Sequence, residues 1–206
     1  MPIRVIAGSA KGRKLKMVPG DSTRPVMDRV KEALFNILGT GIRGSSFLDL
    51  FAGTGSVGIE ALSRGAGRVV FIDNDRLAIR TIHENLAITR LAERAEVLRT
   101  DAFSYLQRAN PQPFEYIYVA PPQYKGWWKE ALLGLDRNPA HLQPDGIVIV
   151  QIDPSEREDV TLEVLEPFDE RVYGKTMLWF FERPVDESMD DDSAYGQGKN
   201  VATGVE

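Results

Sequence analysis

The sequence of 206 residues predicts an α/β protein with a doubly wound parallel sheet. Short apolar runs alternate with segments of helical periodicity from about residue 46 onward, which is the pattern of strands joined by crossover helices. A glycine-rich turn also follows the first of these runs and opens the next helix, as in nucleotide-binding α/β folds. The length suits one well-buried domain and is too short for two comfortable ones.

Five strands and four helices alternate in the central part of the chain. The predicted strands are SFLDLF, GRVVFID, AEVLRTD, FEYIYVAPP and DGIVIVQI, and the helices between them begin near residues 56, 76, 102 and 127. Two more strand-like runs, EVLEPFDERVYG and TMLWFFERP, then follow one another without a helix. That succession predicts an antiparallel hairpin at the edge of the sheet.

The N-terminal segment has a different pattern. IRVIAG and RKLKMV predict a small β-hairpin that turns at Gly8 and Gly12, and apolar residues at helical spacing predict a helix from Val26 to Leu38. Gly39 ends that helix.

These patterns predict a single domain over residues 1–184. It consists of a basic hairpin-and-helix extension at 1–43 and a Rossmann-like core at 44–184. Residues 185–206 are acidic, rich in glycine and poor in large apolar side chains, so they predict a disordered tail.

The composition excludes several functional classes. The chain has no cysteine, which excludes disulfides, thiolate zinc sites, iron–sulfur clusters and a cysteine nucleophile. The first residues lack the apolar core of a signal peptide, and the longest apolar run, residues 177–181, is far too short to span a membrane. We therefore expect a cytoplasmic protein without a membrane partner.

The charge is distributed unevenly along the chain. The net charge is −5 at pH 7, yet the first 43 residues hold nine Lys and Arg against three Asp and Glu. A basic segment of this kind is typical of proteins that bind a phosphate backbone, and a solvated hairpin edge is an equal alternative. The candidate contacts to such a backbone are Lys11, Arg13, Lys14 and Lys16.

The glycine-rich turn predicts a nucleotide-like ligand. Gly53, Gly55 and Gly58 have the spacing G-x-G-x-x-G between a strand and a helix, so the backbone can turn tightly while the N–H groups at the helix start meet the ligand. Asp73 follows Gly53 by twenty residues, at the end of the next strand. This matches the dinucleotide fingerprint, and a nicotinamide enzyme is one interpretation.

Three further features favour S-adenosylmethionine. Asp49 would repel a pyrophosphate but attract a sulfonium and an α-ammonium group. Asp101 ends the third strand, where it could accept from an adenine amino group or simply cap the following helix. APPQY ends the fourth strand, and a hydride enzyme has no evident use for it. Together with Asp73, these features follow four successive strands, and ligands of open α/β sheets bind at such strand ends.

Four segments resemble a known family: TRPVMDRVKEALFNIL, FLDLFAGTGSVGIEALSRGA, FIDND and YGKTMLWFF. Together they are similar to the bacterial 16S ribosomal RNA guanine-N2 methyltransferases of the RsmD type, over about Arg4 to Arg183. The resemblance implies a seven-stranded methyltransferase sheet with an N-terminal hairpin extension. It also implies S-adenosylmethionine as methyl donor, S-adenosylhomocysteine as product, and 16S rRNA or the assembling 30S subunit as partner.

The resemblance also implies roles for residues around the methionine part of the cofactor. Gly53, Thr54 and Gly55 would cradle it, and Asp49 would lie near its amino group. The segment Thr23, Arg24 and Pro25 precedes the first helix of the family and would close over the cofactor. Arg24 would reach either the cofactor carboxylate or an RNA phosphate.

The remaining cofactor contacts would involve the nucleoside. By the same resemblance, Asp73 would bind the ribose hydroxyls and Asn74 would lie beside the adenine. Asp101 and Ala102 would meet the adenine edge.

The sequence departs from the family at the motif that follows the fourth strand. The family pattern is Asp-Pro-Pro followed by Tyr or Phe, whereas this chain has Ala120, Pro121, Pro122, Gln123 and Tyr124. In amino-methylating enzymes the acid accepts a hydrogen bond from the target N–H, beside a backbone carbonyl of the proline pair. Here the carbonyl remains, and Gln123 either substitutes for the acid or points to solvent.

The aromatic residues that follow predict how a base is held. We expect Tyr124 to lie against one face of an extruded base. For the adjacent Trp127 and Trp128, we expect one ring in the core and the other half-exposed.

With this resemblance, we expect a monomeric enzyme that methylates a guanine N2 amine of 16S rRNA and needs no metal. Two alternatives stay open because the acid is missing. One is an amino methyltransferase with another target, such as a DNA base or a glutamine side chain. The other is a catalytically inactive RNA-binding assembly factor.

Overall fold

The computed structural model describes residues 3–20 and 27–184. The predicted cofactor residues Thr23 and Arg24, and the predicted disordered tail at 185–206, lie outside the described residues. The helices are α1 Asp28–Leu38, α2 Ser56–Arg64, α3 Arg76–Thr89, α4 Ala102–Leu106 and α5 Trp127–Arg137. The strands are β1 Ser46–Asp49, β2 Arg68–Asp73, β3 Ala95–Arg99, β4 Phe114–Val119, β5 Leu142–Ile152, β6 Glu166–Tyr173 and β7 Thr176–Glu182.

The seven strands form one sheet in the order β3-β2-β1-β4-β5-β7-β6. Strands β1 to β5 run parallel, and β7 lies antiparallel between β5 and β6. The sequence predicted both the parallel series and the edge hairpin, and the structure confirms them. The strand order reverses direction between β1 and β4, and ligands bind at such a switch point in open α/β sheets.

Two apolar layers cover the sheet. Side chains alternate along each strand, so Phe47 packs with α1 and α2 on one face while the next residue, Leu48, packs with α4 and α5 on the other. Strands buried on both faces have continuous apolar sequences, as in SFLDLF and GRVVFID. None of the helices in the described part of the chain is long and apolar enough to cross a bilayer.

The predicted N-terminal hairpin is present but short. Arg4 and Lys14 form a single antiparallel bridge, and Leu15 N–H donates to the Ile3 carbonyl at 2.8 Å. The two short strands predicted at residues 3–8 and 13–18 are reduced to this bridge, because the intervening backbone binds α2 instead. Ile6 N–H donates to the carboxylate of the fully buried Glu60 at 2.8 Å.

Candidate active site

A cleft of about 700 Å³ opens at the carboxyl ends of β1, β2 and β4. Eleven of the residues predicted from the sequence line it: Asp49, Gly53, Thr54, Asp73, Asn74, Asp101, Ala102, Ala120, Pro121, Pro122 and Gln123. The end of β5 adds Gln151, and the segment after the hairpin adds Met17 and Val18. The strand ends thus meet around one ligand-sized space.

The glycine loop adopts a backbone that most other residues would resist. Gly53 has φ 53° and Gly55 has φ 74°, both in the left-handed region that glycine tolerates. Among the described residues, no atom lies within 4 Å of a Cβ placed on Gly53, so this part of the loop backbone has room for a ligand. Gly58 has a different task, because its missing side chain lets α2 pack directly on the Phe71 ring of β2.

Asp73 fixes the loop from the neighbouring strand. Its Oδ2 accepts from Gly53 N–H at 2.8 Å and its Oδ1 accepts from Asp75 N–H at 2.9 Å. Burial raises the pKa of Asp73, while these backbone donors lower it. A carboxylate offers about four lone-pair sites, so two remain for a ligand in the cleft.

Asp49 is a carboxylate at the floor of the cleft that is only 2% exposed. Its Oδ2 accepts from Gly58 N–H at 3.1 Å. The pKa of Asp49 is raised to about 7: burial is the largest cause, the Gly58 N–H acts to lower the pKa, and the charge of Asp73 acts to raise it. A cationic group bound beside this buried carboxylate would favour its ionised form and lower its pKa again.

Asp101 both lines the cleft and caps a helix. Its Oδ2 accepts from Ser104 N–H at 2.8 Å, which is the N-cap geometry that the sequence left as an alternative. The side chain is exposed, and the other carboxylate oxygen is available to a ligand.

Tyr124 lies outside the cleft lining. It is 68% exposed and has φ 61°, and its N–H donates to Glu156 Oε1 at 2.7 Å. Its hydroxyl donates to Asp153 Oδ2 at 3.1 Å. The turn after the proline pair therefore directs Tyr124 toward the segment that follows β5.

Trp127 forms the aromatic part of the wall instead. Its ring stacks on Phe51 with centroids 6.5 Å apart and an interplanar angle of 18°, and it meets Phe103 edge to face. Trp127 is 37% exposed whereas Trp128 is 2% exposed and packs against Trp179. The expected division between a core ring and a half-exposed ring is confirmed.

Sequence reasoning missed two polar residues of the site. Gln151 interrupts the apolar run IVIVQI, and Asn85 lies on the buried face of α3. The Asn85 amide donates to Thr54 O at 2.9 Å and to Lys16 O, and its oxygen accepts from Lys16 N–H. A polar residue at an apolar position was the available signal in both cases.

The four predicted RNA contacts are exposed on the hairpin but differ in their contacts. Arg13 donates to the Ile88 carbonyl of α3 at 2.7 Å, and Lys16 pairs with Glu84 at 2.9 Å. Both residues therefore hold the hairpin on the core. Lys11 and Lys14 are exposed at the turn and the returning segment.

The strand order and the acidic cleft around a glycine loop define a Rossmann-like methyltransferase fold. Residues 3–182 match the family model described as Conserved hypothetical protein 95, and the chain belongs to that family.

Relatives with known names share nearly the whole chain. YlbH of Bacillus subtilis (strain 168) is 40% identical over 183 residues, which cover 88% of this chain and 99% of YlbH. Ribosomal RNA small subunit methyltransferase D of Escherichia coli (strain K12) is 32% identical, over 92% of this chain and 94% of its own length. The solved structure of YhhF from Escherichia coli superposes with a TM-score of 0.79 at 32% identity, covering 89% of this chain and 99% of YhhF.

Proposed function

We propose that the chain is an S-adenosylmethionine-dependent methyltransferase that modifies the N2 amine of a guanine in small-subunit ribosomal RNA. The observation that carries the proposal is the meeting of Asp49, Asp73 and Asp101 with the Ala120-Pro121 end of β4 around one cleft. The relationship to Ribosomal RNA small subunit methyltransferase D supports the substrate class.

The donor set fits S-adenosylmethionine. Buried Asp49 would take the α-ammonium group, and the free lone pairs of Asp73 would take the ribose hydroxyls. Asp101, Ala102 and Asn74 would border the adenine. A pyrophosphate would meet the Asp49 carboxylate instead of a cation, so this donor set disfavours a dinucleotide.

The residues after β4 would hold the target base. Pro121 is buried and its carbonyl is a fixed acceptor, because proline restricts the backbone. Trp127 offers a half-exposed ring beside this stretch, and Gln123 lines the same cleft. The exposed hairpin residues Lys11 and Lys14 would contact the RNA backbone. The enzyme would act in the cytoplasm as a monomer, on 16S rRNA or on the assembling 30S subunit.

The test is transfer of labelled methyl groups to 30S particles and to naked 16S rRNA from a strain that lacks this protein, followed by mass-spectrometric mapping of the product. One methylated guanine is the expected result. Tight S-adenosylhomocysteine binding without any transfer would instead favour an RNA-binding assembly factor. Transfer to DNA or to a glutamine peptide, with none to rRNA, would also overturn the proposal.

A further inference from the structure

The carboxamide of Gln151 is a polar group on the cleft wall that the cofactor contacts do not use. Gln151 is the second-last residue of β5, is half-buried and lines the cleft together with Ala120. Val119 of β4 pairs with Val150 of β5, so the next residues along, Ala120 and Gln151, are neighbours where the two strands end.

Both residues extend from the same face of the sheet. Tyr118 and Ile149 pack in the layer with α1 and α2, whereas Val119 and Val150 pack in the layer with α4 and α5. Because side chains alternate along a strand, Ala120 and Gln151 lie on the Tyr118 side. The Ala120 side chain cannot form a hydrogen bond, whereas the neighbouring carboxamide of Gln151 can.

Tyr118 holds this carboxamide in one orientation. Its hydroxyl donates to Gln151 Oε1 at 2.6 Å, and its side chain is only 2% exposed. Burial, and to a lesser extent the charge of Asp49, raises the pKa of Tyr118 well above the ordinary tyrosine value, so the hydroxyl keeps its proton. The carbonyl oxygen has a second lone pair, and the amide nitrogen carries two donor hydrogens.

We propose that Gln151 is a catalytic residue that orients the target base, with Tyr118 as its positioning residue. The Gln151 oxygen accepts an N–H of the exocyclic amine, and its amide nitrogen donates to the adjacent ring nitrogen. In guanine the N2 amine lies beside N3, which gives a donor next to an acceptor and complements a carboxamide. This inference rests on the proposed function.

Orientation matters because the lone pair of the guanine amine is delocalised into the ring. Hydrogen-bond acceptors on the amine hydrogens keep the nitrogen in line and favour its pyramidal form. S-adenosylmethionine supplies the methyl group when bound: the nitrogen lone pair forms the N–C bond, the C–S pair stays on sulfur, and S-adenosylhomocysteine leaves. The product ammonium then loses one proton to solvent through the open cleft.

The test is single-turnover methyl transfer to 30S particles from a strain that lacks this protein, at saturating S-adenosylmethionine. We expect Gln151→Ala and Gln151→Met to lower the rate at least tenfold, with S-adenosylhomocysteine and RNA affinities within threefold of the unmodified protein. Methionine keeps the unbranched shape and removes the hydrogen bonds, so it separates chemistry from packing. The matched control is Gln143→Ala, which removes a half-buried glutamine at the other end of β5 and should leave the rate unchanged.

The positioning role of Tyr118 is tested by a double-mutant cycle. Tyr118→Phe should slow transfer three- to tenfold, because the carboxamide is present but no longer fixed. Tyr118→Phe added to Gln151→Met should slow methyl transfer by less than a further factor of two, because Tyr118 acts through Gln151. A purely structural role of Tyr118 would give the same loss in both backgrounds and would contradict the positioning role.

The possible results distinguish this inference from the proposed function. If the wild-type protein methylates rRNA and Gln151→Met transfers the methyl group at the same rate, the role of Gln151 is overturned and the proposed function stands. If the unmodified protein binds S-adenosylhomocysteine but methylates no rRNA, the proposed function fails and takes this inference with it.

Discussion

The backbone N–H of Gly53 donates to Oδ2 of Asp73 at 2.8 Å, which links the glycine loop after β1 to the end of β2. The two residues are twenty positions apart, and the parallel pairing of β1 with β2 brings them together. Asp73 therefore has two tasks: it shapes the loop, and it offers its remaining lone pairs to the ligand.

We expect Asp73→Ala to weaken S-adenosylhomocysteine binding at least tenfold. Each charge-assisted bond to a ribose hydroxyl contributes about 1.5–3 kcal/mol, and the loop loses its support as well. Asp73→Asn keeps the side-chain shape and one acceptor oxygen, so its affinity for S-adenosylhomocysteine should fall between those of the wild-type protein and Asp73→Ala. Titration calorimetry measures the affinities, and circular dichroism checks the fold. Wild-type affinity in Asp73→Ala would remove this residue from the ribose site.

Asp49 should make cofactor binding depend on pH. Burial raises the pKa of Asp49 to about 7, so the unliganded carboxyl is mostly protonated at pH 6 and mostly ionised at pH 8. The α-ammonium of the cofactor prefers the ionised form, so S-adenosylhomocysteine affinity should rise up to about tenfold across this range. Asp49→Asn should bind weakly with no such rise. An equal pH dependence in both proteins would assign the titration to another group.

The same residue should affect stability in the opposite direction. The folded-state pKa of Asp49 is raised from 3.8, so the folded protein binds this proton more tightly than the unfolded chain. Its contribution is fully present below pH 3.8 and is lost as the pH rises toward about 7. Asp49→Asn should therefore raise the melting temperature of the unliganded protein more at pH 8 than at pH 5. An equal change at both pH values would contradict this assignment.

The exposed hairpin lysines should contribute to RNA affinity. Lys11→Glu with Lys14→Glu should weaken binding to 16S rRNA and flatten its salt dependence, since each lost phosphate contact lowers the slope by about 0.7–0.9. Arg13 and Lys16 are left unchanged because they hold the hairpin on α3. Arg108→Glu with Arg137→Glu is the charge-matched control, because Arg108 is exposed two residues after α4 and Arg137 is exposed at the end of α5. If the salt dependence of RNA affinity is the same for both double variants, Lys11 and Lys14 do not contact the RNA and are only solvated surface residues.

Gly58 should be essential for packing α2 on β2. A Cβ at this position would lie 2.3 Å from Phe71 Cε1 and 2.9 Å from Val69 Cγ1, so Gly58→Ala should destabilise the fold by about 1–3 kcal/mol. Gly134→Ala in α5 is the control, because its Cβ would meet Leu106 at an ordinary 3.5 Å and alanine favours a helix. Urea unfolding measures both. Comparable stability for the two variants would contradict the close approach at Gly58.

The sequence predicted the fold well because its elements repeat strong local patterns. The helix predicted over Ser56–Arg64 has these bounds in the structure, and every predicted strand of the sheet forms. Long-range contacts decided what the sequence could not predict. The hairpin strands are short because Glu60 and Ser63 of α2 take their backbone hydrogen bonds, and Tyr124 turns away because Glu156 and Asp153 bind it. Such partners are distant in sequence and carry no local periodicity.

The last prediction decides between two glutamines in the cleft. Gln123 is exposed in the turn after Pro122, while Gln151 is half-buried and fixed by the Tyr118 hydroxyl. An exposed side chain loses rotamer freedom when it binds, whereas a fixed carboxamide has already lost it, so Gln151 is the better acceptor for the target amine. Gln123→Ala should therefore slow single-turnover methyl transfer less than threefold, at saturating cofactor and with unchanged RNA affinity. A tenfold fall for Gln123→Ala, together with a normal rate for Gln151→Met, would give the acceptor role to Gln123. In that case the added residue between the proline pair and Tyr124 would be what replaces the absent acid at position 120.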